Sequence, residues 1–232
     1  MMHRTLIISD IHGCFKQFNE LLNKVEFNAS NDQLILIGDY VDRGPNSKEV
    51  VDKVIDLVEN HHAIALRGNH DQRLVDLVQQ NSSEVQYKFM QHGGPETIKS
   101  YCIDESCNES LESTICHIRG QYSHHIAFLE RLPLYYEDEK HIYVHAGINP
   151  TYPDWKEQTD HDFMYIKGIF HKADLGLSKT VVFGHTRTVE LQETPEVWFG
   201  NGKIGIDGGC AYGMQLNCLI YQGDEYKTVS VK

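Results

Sequence analysis

The chain has 232 residues, enough for one domain with a buried core. A hydrophobic share of 41% and a charged share of 23% exclude a disordered or collagen-like chain, and no apolar run approaches the ~20 residues of a membrane-spanning helix. Lys and Arg number 21 against 33 Asp and Glu, and the net charge of −12 argues against a binder of nucleic acid or of anionic membranes.

The first third alternates strand and helix. Thr5–Ser9 reads as a buried strand, and a helical pattern runs from about Phe15 to Val25. Gln33–Ile37 is the next strand. Ser47 is placed as the N-cap of a helix reaching about Glu59, with Val50, Val51, Val54, Leu57 and Val58 on its apolar side. Ala63–Leu66 is a third strand, followed by a helix from about Asp71 to Gln79. This β-α-β-α-β order predicts a parallel sheet. The stretch 81–131 is polar and short of strand signals, and it reads as a helical insert or cap within a single 1–232 domain. Strands return at His141–Val144, Thr180–Phe183, Lys203–Ile206, Leu216–Tyr221 and about Tyr226–Val231. Their dense spacing after Thr180 predicts an antiparallel second sheet.

The six cysteines form no C-x-x-C pair, and the opening residues carry no secretion-type apolar segment. A reduced, cytoplasmic chain is therefore expected. Cys102, Cys107 and Cys116 cluster beside His117, but their spacing matches no zinc finger, so no structural zinc is expected there. Cys14 is expected to be a small packed residue at a helix start. The pairs His61-His62 and His124-His125 are expected at the surface.

Polar residues gather at the C-terminal ends of the strands. The first ends in Asp10-Ile11-His12-Gly13, the second in Gly38-Asp39-Tyr40-Val41-Asp42-Arg43-Gly44, the third in Arg67-Gly68-Asn69-His70-Asp71. Two later strands end in His145-Ala146-Gly147 and Gly184-His185-Thr186. That edge is where open α/β sheets bind ligands. Asp10, His12, Asp39, Asn69, His145 and His185 offer carboxylate, imidazole and amide donors, a set that suits divalent ions such as Mn, Fe or Zn. Any one of these residues alone would read as a helix cap or a structural histidine; five strand ends agreeing does not.

DIHG, GDYVDRG, RGNHD, HAG and GHT, in this order, resemble the phosphoprotein phosphatase family of metallophosphoesterases, from Asp10 to Thr186. The likeness continues through Ile206-Asp207-Gly208-Gly209 and Tyr212-Gly213, and the segment Gly93-Gly94, Thr97 and Ser100-Tyr101 is similar to the insert of the bacterial and phage-type serine/threonine phosphatases. The resemblance implies an α/β fold of two mixed sheets packed as a β-sandwich, flanked by helices; from its position in the chain, the helical insert is expected to overhang the site. It implies two divalent metal ions, Mn by preference. Asp10, His12 and Asp39 would hold one ion, and Asp39, Asn69, His145 and His185 the other. A water shared by the ions would attack phosphorus directly, with no covalent phosphoenzyme. His70 would protonate the leaving oxygen, paired with Asp42. Arg43, Asn69 and His70 would contact the phosphate.

One departure concerns a second phosphate-binding Arg that the family carries between the HAG and GHT motifs. Here Phe163–Gly168 stands in that place, with Lys167 where Arg is expected. A Lys keeps the charge and loses the bidentate geometry. Lys167 serves with a looser grip, or another cation such as Arg187 replaces it.

The main expectation is thus a metal-dependent phosphatase acting on phosphoserine or phosphothreonine in proteins. The alternative is a dinucleoside polyphosphate hydrolase of the diadenosine tetraphosphate type, whose family members commonly lack the second Asp of GDxxDRG. The presence of Asp42 favours the phosphoprotein reading, because a serine alkoxide needs protonation more than a nucleotide leaving group does. A third reading, an inactive metal-binding scaffold, is disfavoured because His70, Arg43 and every ligand are present. The expected partner is a phosphoprotein or a phosphorylated small molecule, with no nucleic acid and no membrane.

Overall fold

A computed structural model describes residues 4–102 and 110–232. Cys107 lies outside the described residues. In the first third, the strands β1 (Arg4–Ile8), β2 (Asp32–Leu36) and β3 (Ile64–Ala65) alternate with the helices α1 (Phe15–Lys24), α2 (Ser47–His61) and α3 (Asn69–Gln79). Four helices follow: α4 (Ser83–Gln91), α5 (Gly94–Tyr101), α6 (Leu111–Gln121) and α7 (Ser123–Arg131). Then come β4 (Tyr135–Glu137), β5 (His141–Val144), α8 (Asp160–Tyr165), α9 (Gly168–Lys172) and β6 (Thr180–Phe183). The chain closes with β7 (Trp198–Gly200), β8 (Lys203–Gly205), β9 (Leu216–Gln222) and β10 (Glu225–Val231).

The strands make two mixed five-stranded sheets, in the orders β10-β9-β1-β2-β3 and β4-β5-β6-β8-β7. The two-residue period of the strands decides which side chains meet. Ile7, Ile35 and Ile37 point toward the second sheet and pack on Tyr143, Val182 and Ile204. Their neighbours Leu6, Ile8, Leu34 and Leu36 point the other way, into α1, α2 and α3. On the far side of the second sheet, Ile142, Val144, Val181 and Phe183 pack against Phe163 and Phe170 of α8 and α9. The result is the expected α/β sandwich of two mixed sheets with helices on both outer faces. Among the described residues no helix is long and apolar enough to cross a membrane.

The second sheet is not the antiparallel one predicted. β5, β6 and β8 run parallel, and only the edge strands β4 and β7 are antiparallel to their neighbours. The closing strands β9 and β10 join the first sheet beside β1. Close spacing along the chain signals a hairpin only where the turn chemistry supports one. Between β9 and β10, Gly223 and Asp224 both have positive φ (60° and 66°), the twist that a two-residue hairpin needs. Between β8 and β9 the chain instead crosses from one sheet to the other.

Two smaller expectations change, for Ser47 and His125, and the one for Cys14 holds. Asn46, not Ser47, caps α2; Ser47 is buried in the first turn. Cys14 is buried at the N-cap of α1, and its thiol faces the thiol of Cys210. His125 is fully buried, bonded to the Tyr101 hydroxyl at 2.9 Å and to Asp52 at 2.9 Å. Of the segment 81–131, α4 and α5 lie beside the strand ends, whereas α6 and α7 pack against α3.

Candidate active site

Because β1, β2 and β3 are parallel, and β5, β6 and β8 are parallel, the C-terminal ends of each set lie along one edge. The loops leaving those ends hold the predicted residues. They do so in a strained backbone: of ten non-glycine residues with positive φ among those described, Asp10, His12, Asp39, Asp42, Arg43 and His185 are six. Such conformations cost energy and persist only where surrounding bonds over-determine them. Those bonds are present. Asp10 N donates to Gly38 O (3.1 Å), His12 N to Asp39 O (2.9 Å) and Gly13 N to Tyr40 O (2.8 Å). The buried Asp71 carboxylate accepts from the backbone N–H of Asp39, Tyr40 and Gly68, each at 2.9 Å, and so ties the second loop to the third. Burial, with Asp39 close by, pushes the Asp71 carboxyl up to about 7 even so.

Two glycines are required by closeness rather than by turn geometry. A Cβ on Gly68 would run into the Asp39 carboxylate, and one on Gly184 into Ser9 Oγ and Asp10 Oδ2.

The imidazoles are oriented from behind. His12 Nδ1 donates to Val41 O (2.7 Å) and His145 Nδ1 to Ile37 O (2.9 Å), which turns each Nε2 inward. Asp39 Oδ2 lies 3.4 Å from both Nε2 atoms, between the two rings. Asp10 Oδ1 is 3.9 Å from His12 Nε2, and Asn69 Oδ1 is 3.0 Å from His145 Nε2. His185 completes a group with Asp39 and His145, and its backbone N–H donates to both Asp10 oxygens (3.1 and 3.0 Å). All six predicted ligands therefore come together. Asp10, His12, Asp39, Asn69 and His145 are buried.

The donor set fits a pair of dications. A carbonyl-bonded imidazole with its second nitrogen aimed at carboxylates is how proteins present histidine to a metal. Burial holds His12 and His185 well below the ordinary histidine value, in the neutral form a metal needs. At His145 burial opposes the charged form, but Asp39 and Asp10 outweigh it and raise the group to about 9. Burial raises Asp10 to about 6, against the pull of His145. A concentrated negative field inside a buried site is what a dication offsets. Among the described residues, His12, Asp39 and His70, and Asp39, His145 and His185, form two such buried or half-buried groups able to hold a metal ion.

His70 stands at the rim, its ring 4.7 Å from that of His12. Its Nδ1 is 2.7 Å from Asp42 Oδ2. Thr97 of α5 donates to the other Asp42 oxygen (2.7 Å) and accepts from Asp42 N (2.8 Å). Arg43 Nη2 reaches His70 Nε2 at 2.8 Å, and Arg73 Nη1 reaches it at 3.1 Å. Around these groups opens a cavity of about 330 Å³, also lined by His92, Lys167, Arg187 and Tyr212. Lys167 and Arg187 both line it, and both pair with Glu190, at 3.7 and 3.0 Å. A larger hollow of about 640 Å³, near Asn19 and Lys53, holds none of these donors.

Sequence reasoning missed Arg73, Asp71, Thr97 and Tyr212. Arg73 had a signal: it follows Asn69 by four residues on a helix, which puts both on one face. Thr97 and Tyr212 stood inside the family-like segments without a role; Tyr212 lies beneath the guanidinium of Arg187 at 4.5 Å.

The sequence pattern of the calcineurin-like phosphoesterases matches residues 3–197. The chain is 32% identical, over 97% of its length and 92% of the relative's, to bis(5'-nucleosyl)-tetraphosphatase PrpE [asymmetrical] of Anoxybacillus flavithermus. It is 31% identical, with the same coverage, to the protein of that name from Bacillus cereus. A crystal structure provisionally described as a diadenosine tetraphosphatase superposes with a TM-score of 0.67, at 23% identity over 99% of this chain and 94% of that one. A yeast serine/threonine phosphatase similar to human PP5 superposes with a TM-score of 0.59, at 15% identity over 99% of this chain and 80% of that one. At those identities the solved structures speak for the fold alone.

These relatives overturn the expectation of a phosphoserine and phosphothreonine phosphatase. That expectation leaned on Asp42 as a sign of a basic leaving group. Asp42 also has a structural role, because through Thr97 and Ser47 it fastens the loop after β2 to α5 and α2. An Asp that builds the loop in this way does not report on the leaving group.

Proposed function

Because the chain belongs to the calcineurin-like phosphoesterase family, we propose that it hydrolyses dinucleoside tetraphosphates asymmetrically, to a nucleoside monophosphate and a nucleoside triphosphate. The observation that carries the reading is the cation content of the cavity. Arg43, Arg73, Lys167 and Arg187 line one small opening in a chain of net charge −12; Asp39 in that lining belongs to the metal-ligand group, and Glu190 and Asp207 are its other carboxylates. A single phosphomonoester does not call for four cations, whereas a polyphosphate bridge does.

One divalent ion would be held by Asp10, His12 and Asp39, and a second by Asp39, Asn69, His145 and His185; Mn suits this mixed donor set, as do Fe and Zn. When bound, the ions supply Lewis acidity toward phosphoryl oxygens and lower the pKa of water. The chain's own groups do the rest. Arg43 and Arg73 approach His70 Nε2 from two sides, so a phosphoryl group placed there meets two guanidinium forks. His70 is fixed through Nδ1 by Asp42; once Arg43 and Arg73 turn from Nε2 to the phosphate, a protonated Nε2 faces the leaving oxygen and gives it the proton. Asn69 turns its amide oxygen inward on the first turn of α3. Lys167 and Arg187 sit at the mouth, tethered by Glu190, and receive phosphates beyond the one attacked.

The test compares kcat/KM for diadenosine tetraphosphate with that for a phosphoserine peptide under added manganese. The reading expects a preference for the dinucleotide of about 100-fold or more, roughly 2.7 kcal/mol of transition-state discrimination. A preference for the peptide would refute it.

A further inference from the structure

A second cavity, about 380 Å³, adjoins the catalytic one. Arg73 and His92 line both. Its other walls are Asp76 of α3, Glu84, Val85 and Lys88 of α4, and His161 and Tyr165 of α8. Its size lies in the range of small-ligand sites. None of the residues peculiar to it takes part in the chemistry described above.

We propose that this cavity receives one nucleoside of the substrate, the one that leaves as the monophosphate; this rests on the tetraphosphatase reading. Three features match the three parts of a nucleotide. At the shared wall, the Arg73 guanidinium reaches His70 on one side and lies 5.5 Å from the centre of the Tyr165 ring on the other. It therefore joins the attacked phosphate to whatever occupies the second cavity. Beside Arg73, Tyr165 and His161 form a flat stacked pair, with ring centres 4.6 Å apart and planes inclined by 16°. His161 is exposed, so the pair offers a planar aromatic surface at the opening, with the apolar Val85 in the same lining. A purine stacks on such a surface whatever its edge groups. Asp76 supplies a carboxylate of the kind that accepts hydrogen bonds from ribose hydroxyls. The position fits asymmetric cleavage. The nucleoside next to the attacked phosphorus is one sugar away from it, and this cavity shares a wall with the catalytic one. The other nucleoside is three phosphates further along and leaves the mouth past Lys167 and Arg187.

The experiment uses Tyr165→Leu and His161→Ala in the metal-loaded protein, the second being a change at an exposed residue. Two quantities are measured for each: the ratio of kcat/KM for diadenosine tetraphosphate to that for p-nitrophenyl phosphate, and the affinity for AMP by calorimetry. The subsite predicts that both fall about tenfold in each variant, in line with the loss of one base-stacking partner. A wild type active on the dinucleotide, with both quantities within twofold of wild type in both variants, would overturn the subsite alone. A wild type inert toward the dinucleotide would overturn the tetraphosphatase reading, and the subsite with it.

Discussion

Asp42 makes hydrogen bonds on two sides, to His70 and to Thr97, and this gives its substitution a distinctive signature. Asp42→Asn should lower kcat by about 100-fold, the scale of one general acid. The penalty should grow with the basicity of the leaving group across a series of aryl phosphates. An equal penalty across the series would mean that Asp42 only builds the loop. Gly184→Ala tests the close packing behind Asp10. The added Cβ displaces the Asp10 carboxylate, and manganese affinity measured by calorimetry should drop about tenfold or more. At this scale the grouping of the six candidate ligands was readable in the sequence because parallel strands deliver their ends to one edge, so regular spacing along the chain becomes proximity. Arg73 was readable only through helical spacing. Asp71 was not readable, because it acts by accepting three backbone N–H groups and no side-chain pattern announces that.

At the scale of elements, α4 carries one wall of the second cavity and is pinned by Phe89, which is fully buried against Gly94. Phe89→Ala should cost about 3–5 kcal/mol in urea unfolding. The α7 helix carries a titrating group into the interior. Burial, partly offset by Asp52, lowers His125 from 6.5 to about 4. Its neutral form is favoured in the folded chain, so its contribution is complete above pH 6.5. It is lost as pH falls toward 4, where the unfolded chain already holds the proton. The loss approaches about 3 kcal/mol. His125→Gln should therefore lose less stability than the wild type between pH 7 and pH 4.5, and an identical loss in both would contradict this. The sequence places this histidine pair at the surface because α7 sits in a polar stretch, and only the packing of Tyr101 on it shows the burial. The strands β1, β2, β5 and β6 were readable as continuous apolar runs, since both their faces are covered. The partners of β9 and β10 were not, because a local pattern marks a strand without naming its neighbour.

For the whole molecule, the net charge of −12 and the four cations at one opening describe a protein that repels anions generally and admits them at one place. Bound dications would strengthen that contrast and brace the loops that hold them. Divalent metal at 100 times its dissociation constant should stabilise the fold by about 2.7 kcal/mol, visible as a rise in melting temperature that chelation reverses. The architecture and the clustering of the candidate site residues were legible because one arrangement of strand ends serves both. Substrate choice was not, since the motifs gather at the strand ends, whereas the proposed nucleoside cavity is lined from α3, α4 and α8, where no motif falls. The most direct test of the account is the product analysis of diadenosine tetraphosphate hydrolysis with manganese present. Equal amounts of AMP and ATP are predicted; two ADP, or no cleavage alongside rapid release of phosphate from phosphoserine, would contradict it.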